Sequence, residues 1–355
     1  MFNRQRRPLI VPIFIPNQGC PHRCIFCHQE SITGQSCHPL KPAAIRATIE
    51  TALRSPRFKA GQRAEIAFYG GTFTRLPIGT MKAYLEAVKP FLDRGLFHAI
   101  RISTRPDALD PERLDLLSRF GVSTVELGTQ SMNDEVLDLS KRGHKAGDTV
   151  EAVYLLRGHG FRVGIQLMPG LPGDSEAGFL NTVEQVIALD PDMVRLYPAV
   201  VIEGTEMATL YREGRYRPLE LQEAVRICEE SCIRLETHGI PVIRIGLMSS
   251  PTLLEEGRIL AGPWHTAFGF LVRAGIHRRK ITDCLPGKAS GERIMLRCPP
   301  REIPLVRGYR NQGLAWIEES TGATVVGVIP DESVPQEKIT VDFLPFGWKS
   351  VPVKS

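Results

Sequence analysis

Between residue 9 and about residue 197, short apolar runs rich in β-branched residues alternate with longer segments whose apolar side chains recur every three or four positions. The first pattern is that of a buried strand and the second that of an amphipathic helix. Strands are predicted at Leu9 to Ile15, Glu65 to Tyr69, Ala99 to Thr104, Ser123 to Leu127, Phe161 to Met168 and Met193 to Tyr197. Helices are predicted between them at Pro42 to Arg54, Ile78 to Leu92, Glu112 to Phe120, Asp148 to Gly158 and Ala177 to Leu189. Regular alternation implies an α/β fold with a parallel sheet, because parallel neighbours are joined by crossovers rather than tight turns. Six units with no nucleotide-binding glycine fingerprint after the first strand fit a partial, open (β/α)6 barrel better than a dinucleotide-binding fold.

In such barrels the chemistry sits where strands end. The first predicted strand runs into a cysteine loop, the second into Gly70-Gly71-Thr72 and the third into Ser103-Thr104-Arg105-Pro106. Gln130 follows the fourth, Met168-Pro169-Gly170-Leu171-Pro172-Gly173 the fifth, and Tyr197-Pro198 the sixth. Gly and Pro punctuate ordinary loops, but six such ends in succession mark a functional rim. Further on, helices are predicted at Glu206 to Gly214 and Pro218 to Gly239, and a strand at Pro241 to Gly246. The last 70 residues are basic, rich in β-branched residues, and hold one helix-like segment, Gly313 to Ser320. The expected division is therefore a barrel over residues 1–205, a helical extension packed on it over 206–285, and a small α+β domain over 286–355.

Composition narrows the classes. With 355 residues, 43% hydrophobic and 23% charged, the chain is globular, which excludes disorder, collagen and coiled coil. Its longest apolar stretch, Leu9 to Ile15, is broken by Pro12 and falls far short of the roughly 20 residues that cross a bilayer. Polar Asn17 and Gln18 follow it where a signal peptide would carry small cleavage-site residues. A cytoplasmic protein with no membrane partner is expected. The net charge of +5 is uneven, because residues 271 to 310 hold 10 Lys/Arg against 3 Asp/Glu, an excess of +7. A basic patch of that kind points to an anionic partner.

Eight cysteines in a reducing compartment are thiols, so their spacing matters more than their number. Cys20, Cys24 and Cys27 form a compact Cys-x3-Cys-x2-Cys loop directly after the first strand. Three thiolates at this spacing can ligate three irons of a [4Fe–4S] cubane, where most proteins supply four, and so leave one iron open to a small molecule. The other readings are a tetrahedral zinc site completed by Cys37, His22, His28 or His38, and a redox thiol pair. Cys228 and Cys232, four apart on one helix, read as buried structural thiols. Cys284 and Cys298 stand alone.

The cysteine spacing after a barrel strand resembles that of the radical S-adenosylmethionine (SAM) superfamily. Other segments narrow the resemblance to the radical SAM domain of the Elongator catalytic subunit family, with a more distant likeness to oxygen-independent coproporphyrinogen oxidases. They are Phe68-Tyr69-Gly70-Gly71-Thr72-Phe73, Ser103-Thr104-Arg105-Pro106-Asp107, Val125-Glu126-Leu127-Gly128-Thr129-Gln130-Ser131 and Arg142-Gly143-His144. Met168 to Gly173, Arg195-Leu196-Tyr197-Pro198 and Val201-Ile202-Glu203-Gly204-Thr205 continue the match to about residue 240. The resemblance implies that Cys20, Cys24 and Cys27 hold the cluster, whose open iron chelates the amino and carboxylate groups of SAM. It further implies that Gly70, Gly71 and Thr72 bind the SAM amino group, Thr72 standing where relatives often carry glutamate. Gln130 and Arg142 would contact ribose and carboxylate, Ser103 would lie near the ribose, Phe26 and Met168 against the adenine, and Gln166 where some relatives carry Asp. The Elongator family carries an acetyltransferase after this domain, and the 70 residues beyond 285 are too few for one, so acetyl-CoA chemistry is not expected.

In the tail, Ile303 to Gln312 leads into Gly313 to Val325 in a way that resembles a KH domain core, where a GxxG loop joins two helices and clamps a nucleic-acid backbone. The loop is degenerate: Gly308-Tyr309-Arg310-Asn311 ends in Asn, the residue next best able to take a positive φ. Arg307 and Arg310 could meet phosphates, and the alternative is a small capping domain. The expected function is a radical SAM enzyme that modifies a base in tRNA or rRNA, with a ferredoxin or flavodoxin as electron donor. Tyr197, or Tyr69, would serve as hydrogen donor or radical relay. Two alternatives remain: a radical SAM enzyme on a tetrapyrrole or cofactor precursor, and an RNA-binding protein with a structural metal.

Overall fold

The computed structural model describes residues 9–59, 63–248, 250–283, 291–336 and 338–345. It divides into two compact units, Met1–Ala224 with Arg234–Thr266, and Val225–Ile233 with Ala267–Ser355.

The first unit is built on β1 (Leu9–Phe14), β2 (Ala64–Tyr69), β3 (Ala99–Thr104), β4 (Val122–Gln130), β5 (Arg162–Leu167) and β6 (Met193–Leu196). After the short β7 (Val201–Ile202), strand β8 (Val242–Ile245) completes a seven-stranded sheet in the order β1-β2-β3-β4-β5-β6-β8. Every neighbouring pair is parallel. The six-unit partial barrel read from the sequence is present and carries a seventh strand, β8, on the edge of β6. Residues 206–285, expected as one extension, are shared out instead: β8 belongs to the barrel sheet, while residues from Ala267 onward group with the second unit. Strand β7 pairs antiparallel with β9 (Ile259–Ala261) in a separate two-stranded sheet.

The helices of this unit are α1 (Gln29–Thr33), α2 (Pro42–Leu53), α3 (Ile78–Asp93), α4 (Pro111–Arg119), α5 (Asp134–Leu139), α6 (Ala146–Gly158), α7 (Glu176–Leu189) and α8 (Glu206–Arg212). The long α9 (Leu221–Thr237) has its central turns in the other unit. Side chains start several of them. Asp110 accepts from the Arg113 amide ahead of Pro111 in α4, Ser175 from Gly178 in α7, and Thr205 from Ala208 in α8. Each satisfies an amide that has no partner within its helix. The strands read as continuous apolar runs because a parallel sheet covered by helices is buried on both faces. Ile66, Ile100, Val125, Ile165 and Val194 are fully buried accordingly.

The second unit adds α10 (Phe268–Asp283), β10 (Arg293–Cys298), α11 (Ile303–Arg307), α12 (Gln312–Thr321), β11 (Thr324–Pro330) and β12 (Thr340–Leu344). Strand β10 is central, parallel to β11 and antiparallel to β12. Ile281, Ile294, Leu296, Val306 and Ile317 form its core, with Leu314 packed against them. The run β10-α11-α12-β11 sets two short helices, joined by a turn, between two parallel strands. In its connecting turn Gly308 has φ 72° and ψ 178°, and Asn311 sits at φ 62°. A Cβ on Gly308 would lie 2.8 Å from the Gly313 nitrogen, so this position requires glycine.

Candidate functional site

The C-terminal ends of the strands converge on a cavity of about 500 Å3. It is lined by Cys20, Cys24 and Cys27 with Phe26, and by Gly70, Gly71, Thr72, Ser103, Gln130, Arg142, Gln166 and Tyr197. Thus all but one of the cofactor-contact residues named from sequence share one chamber. Met168 does not line it. It packs on the buried cluster of Val136, Leu171 and Ala199, as does Phe26, which lines the cavity.

The cysteine loop is held on both sides. Ile25, between two of the cysteines, is buried against Val201, Met207 and Tyr216. Its amide donates to the Ser140 carbonyl (3.3 Å) and its carbonyl accepts from the Met207 amide (2.9 Å), which ties the loop to the end of α5 and the start of α8. On the other side the Asn17 amide donates to the Gly70 carbonyl and the Thr72 amide to the Gln18 carbonyl, both at 2.8 Å. A Cβ on Gly71 would stand 2.4 Å from the Gln18 oxygen and 2.7 Å from the Ile15 oxygen, so only glycine permits this approach.

Each thiol has a different neighbour. The Cys20 Sγ is 3.3 Å from the Thr72 hydroxyl, Cys24 Sγ accepts from Arg142 Nη1 at 3.0 Å, and Cys27 Sγ lies 3.7 Å from Asn17 Oδ1. Burial pushes the Cys27 thiol up to about 12, and the nearby Cys24 and Cys20 add to the shift. Burial likewise raises Cys20. Cys20 and Cys27, thiols that resist ionisation on either side of Cys24, belong to a donor set suited to positive charge, because a metal centre removes the protons that burial retains. Among the described residues no three His, Cys, Asp or Glu side chains gather around one point as ligands of a single ion would. The candidate zinc histidines are engaged elsewhere: His22 with the Lys141 carbonyl, His28 as the cap of α1, and His38 with Ser36. Cys37 accepts from Asn17 Nδ2 at 3.4 Å and does not line the cavity. A cubane spreads its thiolates over separate irons, which suits sulfurs that do not share one point.

Against the loop, Arg142 Nη2 donates to the Gly128 carbonyl at 2.5 Å, and its guanidinium lies 6.0 Å from the Phe26 ring centre. Its Nε and the Gln130 Oε1 are buried with no hydrogen-bond partner. Gln130 has φ 68°, a conformation that costs energy for a side-chain-bearing residue and turns its amide at the end of β4. Unmet polar atoms at a cavity wall are the mark of a site completed by a ligand. Burial drives His144 down to about 3, and Arg142 and Arg105 reinforce the shift, so this imidazole is neutral beside the Thr129 carbonyl.

A charged layer that the sequence pattern did not announce lies inside the sheet. Arg101 bonds Glu65 (2.6 Å) and Glu126 (2.8 Å), and Arg195 donates to Glu126 through Nη2 (2.9 Å), with its Nε in ion-pair contact at 2.7 Å but not aligned for a hydrogen bond. The Tyr69 and Tyr197 hydroxyls accept from Arg195 at 2.8 and 3.2 Å, and Gln166 Nε2 donates to Glu126 (3.1 Å) and Ser103 (3.4 Å). Burial would raise the Glu126 carboxyl, but Arg195 and Arg101 more than reverse that and hold it below the usual carboxylate range. Burial pushes the Tyr69 phenol well up, so it stays protonated. Charged residues inside otherwise apolar strands, namely Glu65, Arg101, Glu126 and Arg195, were the available signal.

Residues 14–186 match the radical SAM superfamily, and residues 191–278 match the radical SAM C-terminal domain. The chain belongs to the radical SAM superfamily. It is similar to the tRNA uridine(34) acetyltransferase of Methanocaldococcus infernus, 31% identical over 61% of this chain and 48% of that one. It is also similar to Elongator complex protein 3 of Homo sapiens, 29% identical over 61% of this chain and 48% of that one. An uncharacterized protein of Methanocaldococcus jannaschii is 29% identical over 68% of this chain and 75% of its own length. Among solved structures, the archaeal Methanocaldococcus infernus Elp3 with an N-terminal deletion superposes with a TM-score of 0.59 at 25% identity, covering 76% of this chain and 63% of that one. The radical SAM chain thus spans about half the length of the acetyltransferase and Elongator relatives. It is an enzyme of the superfamily, and membership implies a [4Fe–4S] cluster and SAM as cofactors. The donor set and the unmet Gln130 and Arg142 atoms fit both.

The radical SAM enzyme's remaining candidates lie elsewhere. Arg307, Arg310 and Asn311 are exposed and Gly308 half-buried in the turn between α11 and α12, with the Arg310 guanidinium 5.3 Å from the Tyr309 ring centre. Cys228 and Cys232 are fully buried in α9 and Cys298 in the core of the second unit, while Cys284 lies outside the described residues. Burial raises Cys228 strongly and Cys298 to about 11, which suits structural thiols. Among the described residues no helix is long and apolar enough to cross a membrane.

Proposed function

We propose that this enzyme uses its cluster and SAM to modify a base in RNA, with tRNA the first candidate. The observation that carries the RNA substrate is the similarity, over the barrel, to relatives named as tRNA uridine(34) acetyltransferases. The acetyl transfer in that name belongs to those proteins and is not extended to this chain. When bound, the cluster and SAM supply a 5′-deoxyadenosyl radical. Cys20, Cys24 and Cys27 would hold three irons, with the Thr72 hydroxyl and the Arg142 guanidinium placed to donate to the Cys20 and Cys24 sulfurs. Arg142 also pairs with the SAM carboxylate, for which its planar fork is suited. Gln130 accepts a ribose hydroxyl at its unmet oxygen, assisted by the linked Ser103 and Gln166. Backbone carbonyls at Gly70, Gly71 and Thr72 take the amino group, and Phe26 meets the adenine, seated on the cluster that also carries Met168. Tyr197 stands on the far wall as a candidate hydrogen donor.

The second unit would read the RNA. Its turn presents Arg307 and Arg310 beside Gly308 and Asn311, and the excess of +7 over residues 271 to 310 favours a polyanion. A ferredoxin or flavodoxin would deliver the electron. Anaerobic reconstitution with iron and sulfide, then dithionite and SAM, is expected to yield 5′-deoxyadenosine. Mass spectrometry of tRNA and rRNA nucleosides from a deletion strain is expected to show one missing modification. A complete nucleoside profile in that strain, with 5′-deoxyadenosine still formed by the protein, refutes the RNA substrate and returns the chemistry to a small molecule.

A further inference from the structure

Among the described residues five arginines line the cavity, Arg23, Arg105, Arg142, Arg195 and Arg244, and no carboxylate lines it with them. Four are accounted for. Arg105 chelates Asp107 through Nε (2.8 Å) and Nη2 (3.0 Å), Arg195 is neutralised by Glu126, Arg142 faces Cys24, and Arg23 is exposed on the cysteine loop. Arg244 is the remainder. It lies on β8, the register partner of Arg195 on β6, and is half-buried. Its Nε donates to the Gly246 carbonyl at 3.1 Å, and among the described residues no carboxylate ion-pairs with it.

Two guanidiniums side by side on neighbouring strands repel. Glu126 meets the charge of Arg195 and leaves nothing for Arg244. A half-buried cation kept without a counter-ion, on a wall shared with Pro12, Phe14, Leu247 and Met248, is a receptor for an anion on whatever fills that side of the chamber. The SAM carboxylate is already matched to Arg142 across the cavity. We propose that Arg244 is the phosphate-recognising residue for the substrate, seating the phosphate of the nucleotide whose base enters the chamber. This rests on the RNA reading. The guanidinium fork meets two phosphate oxygens at once, and the apolar side chains beside it pack on the base.

The test uses cluster-loaded protein under anaerobic calorimetry, with uridine 5′-monophosphate and uridine as the probes. Wild type is expected to bind the monophosphate at least about tenfold more tightly than the nucleoside, the order of a charge-assisted pair. R244Q is expected to remove that preference and R244K to retain part of it. Equal iron and sulfide content in all three shows that the variants are folded and loaded. No binding of the monophosphate by wild type at millimolar concentration, no preference for phosphate, or a preference unaltered in R244Q each overturns the proposal. An Arg244-dependent preference for propionate over propanol, without one for the monophosphate over uridine, overturns it in favour of a carboxylate substrate. The RNA reading fails separately: an unchanged nucleoside profile in the deletion strain with an Arg244-dependent phosphate preference keeps the subsite and makes the substrate a free nucleotide.

Discussion

Replacing Glu126 with Gln tests the charged layer inside the sheet. The carboxylate is 1% exposed and bridges two guanidiniums, Arg101 at 2.8 Å and Arg195 at 2.7 Å. Arg101 keeps Glu65 at 2.6 Å when Glu126 is lost, but Arg195 keeps only the Tyr69 and Tyr197 hydroxyls. Removing one partner of a buried pair strands the other and costs roughly 3–5 kcal/mol. That is a large share of a stability of roughly 5–15 kcal/mol. Urea denaturation of the metal-free protein is expected to report a loss in this range with an unchanged m-value. The depressed carboxyl gives the sign of the pH dependence. Its stabilisation is present above the unfolded value of about 4.3 and is lost as the pH falls through the lower folded value. The gap between wild type and E126Q is therefore constant near neutrality and narrows only below a pH of about 4. Adding R195M to E126Q removes the stranded charge and is expected to recover part of the loss. A loss under about 1 kcal/mol, or a double variant no more stable than E126Q, refutes the reasoning. It would mean that water in the cavity solvates Arg195.

Three further outcomes are expected. Cys24→Ala removes a thiol that faces Arg142 and abolishes the cluster's visible absorbance after reconstitution, whereas Cys37→Ala, off the cavity, loads fully; iron and sulfide content decides between them. Gly71→Ala drives a Cβ against the Gln18 and Ile15 carbonyls, so the loop must move, costing about 1–3 kcal/mol in a thermal melt and most of the SAM binding seen by calorimetry. Arg307→Ala with Arg310→Ala, both exposed, leaves the melt unchanged and lowers the salt slope of tRNA binding by about two.

Strand–helix alternation was legible because its cause, burial of a parallel sheet on both faces, acts on every strand alike. The elements passed over were too short for a period to register, such as α5 at six residues and β9 at three, or mixed arginine with apolar residues, as α10 does. The cysteine loop, the double glycine, Gln130 and Arg142 were legible as motifs. Asn17, Glu126 and Arg244 were not, since their roles depend on partners 10 to 69 residues away or on the lack of one. Asn311 shows the opposite case: a departure from the expected glycine that the backbone accommodates at φ 62°.

The sheet runs from β1 to β8 without the two joining, and the chamber is walled by residues from both of these edges, Pro12 and Phe14 on one and Arg244 on the other. A closed barrel can be entered only through its rim, and a long polymer would have to offer a free end to thread it. A sheet left open along one seam sets no such condition. Here loops cross the seam instead of a strand ladder, the Ser250 hydroxyl donating to the Ser31 carbonyl at 3.0 Å, so admitting the middle of a continuous strand would cost a few loop contacts and not a row of backbone hydrogen bonds.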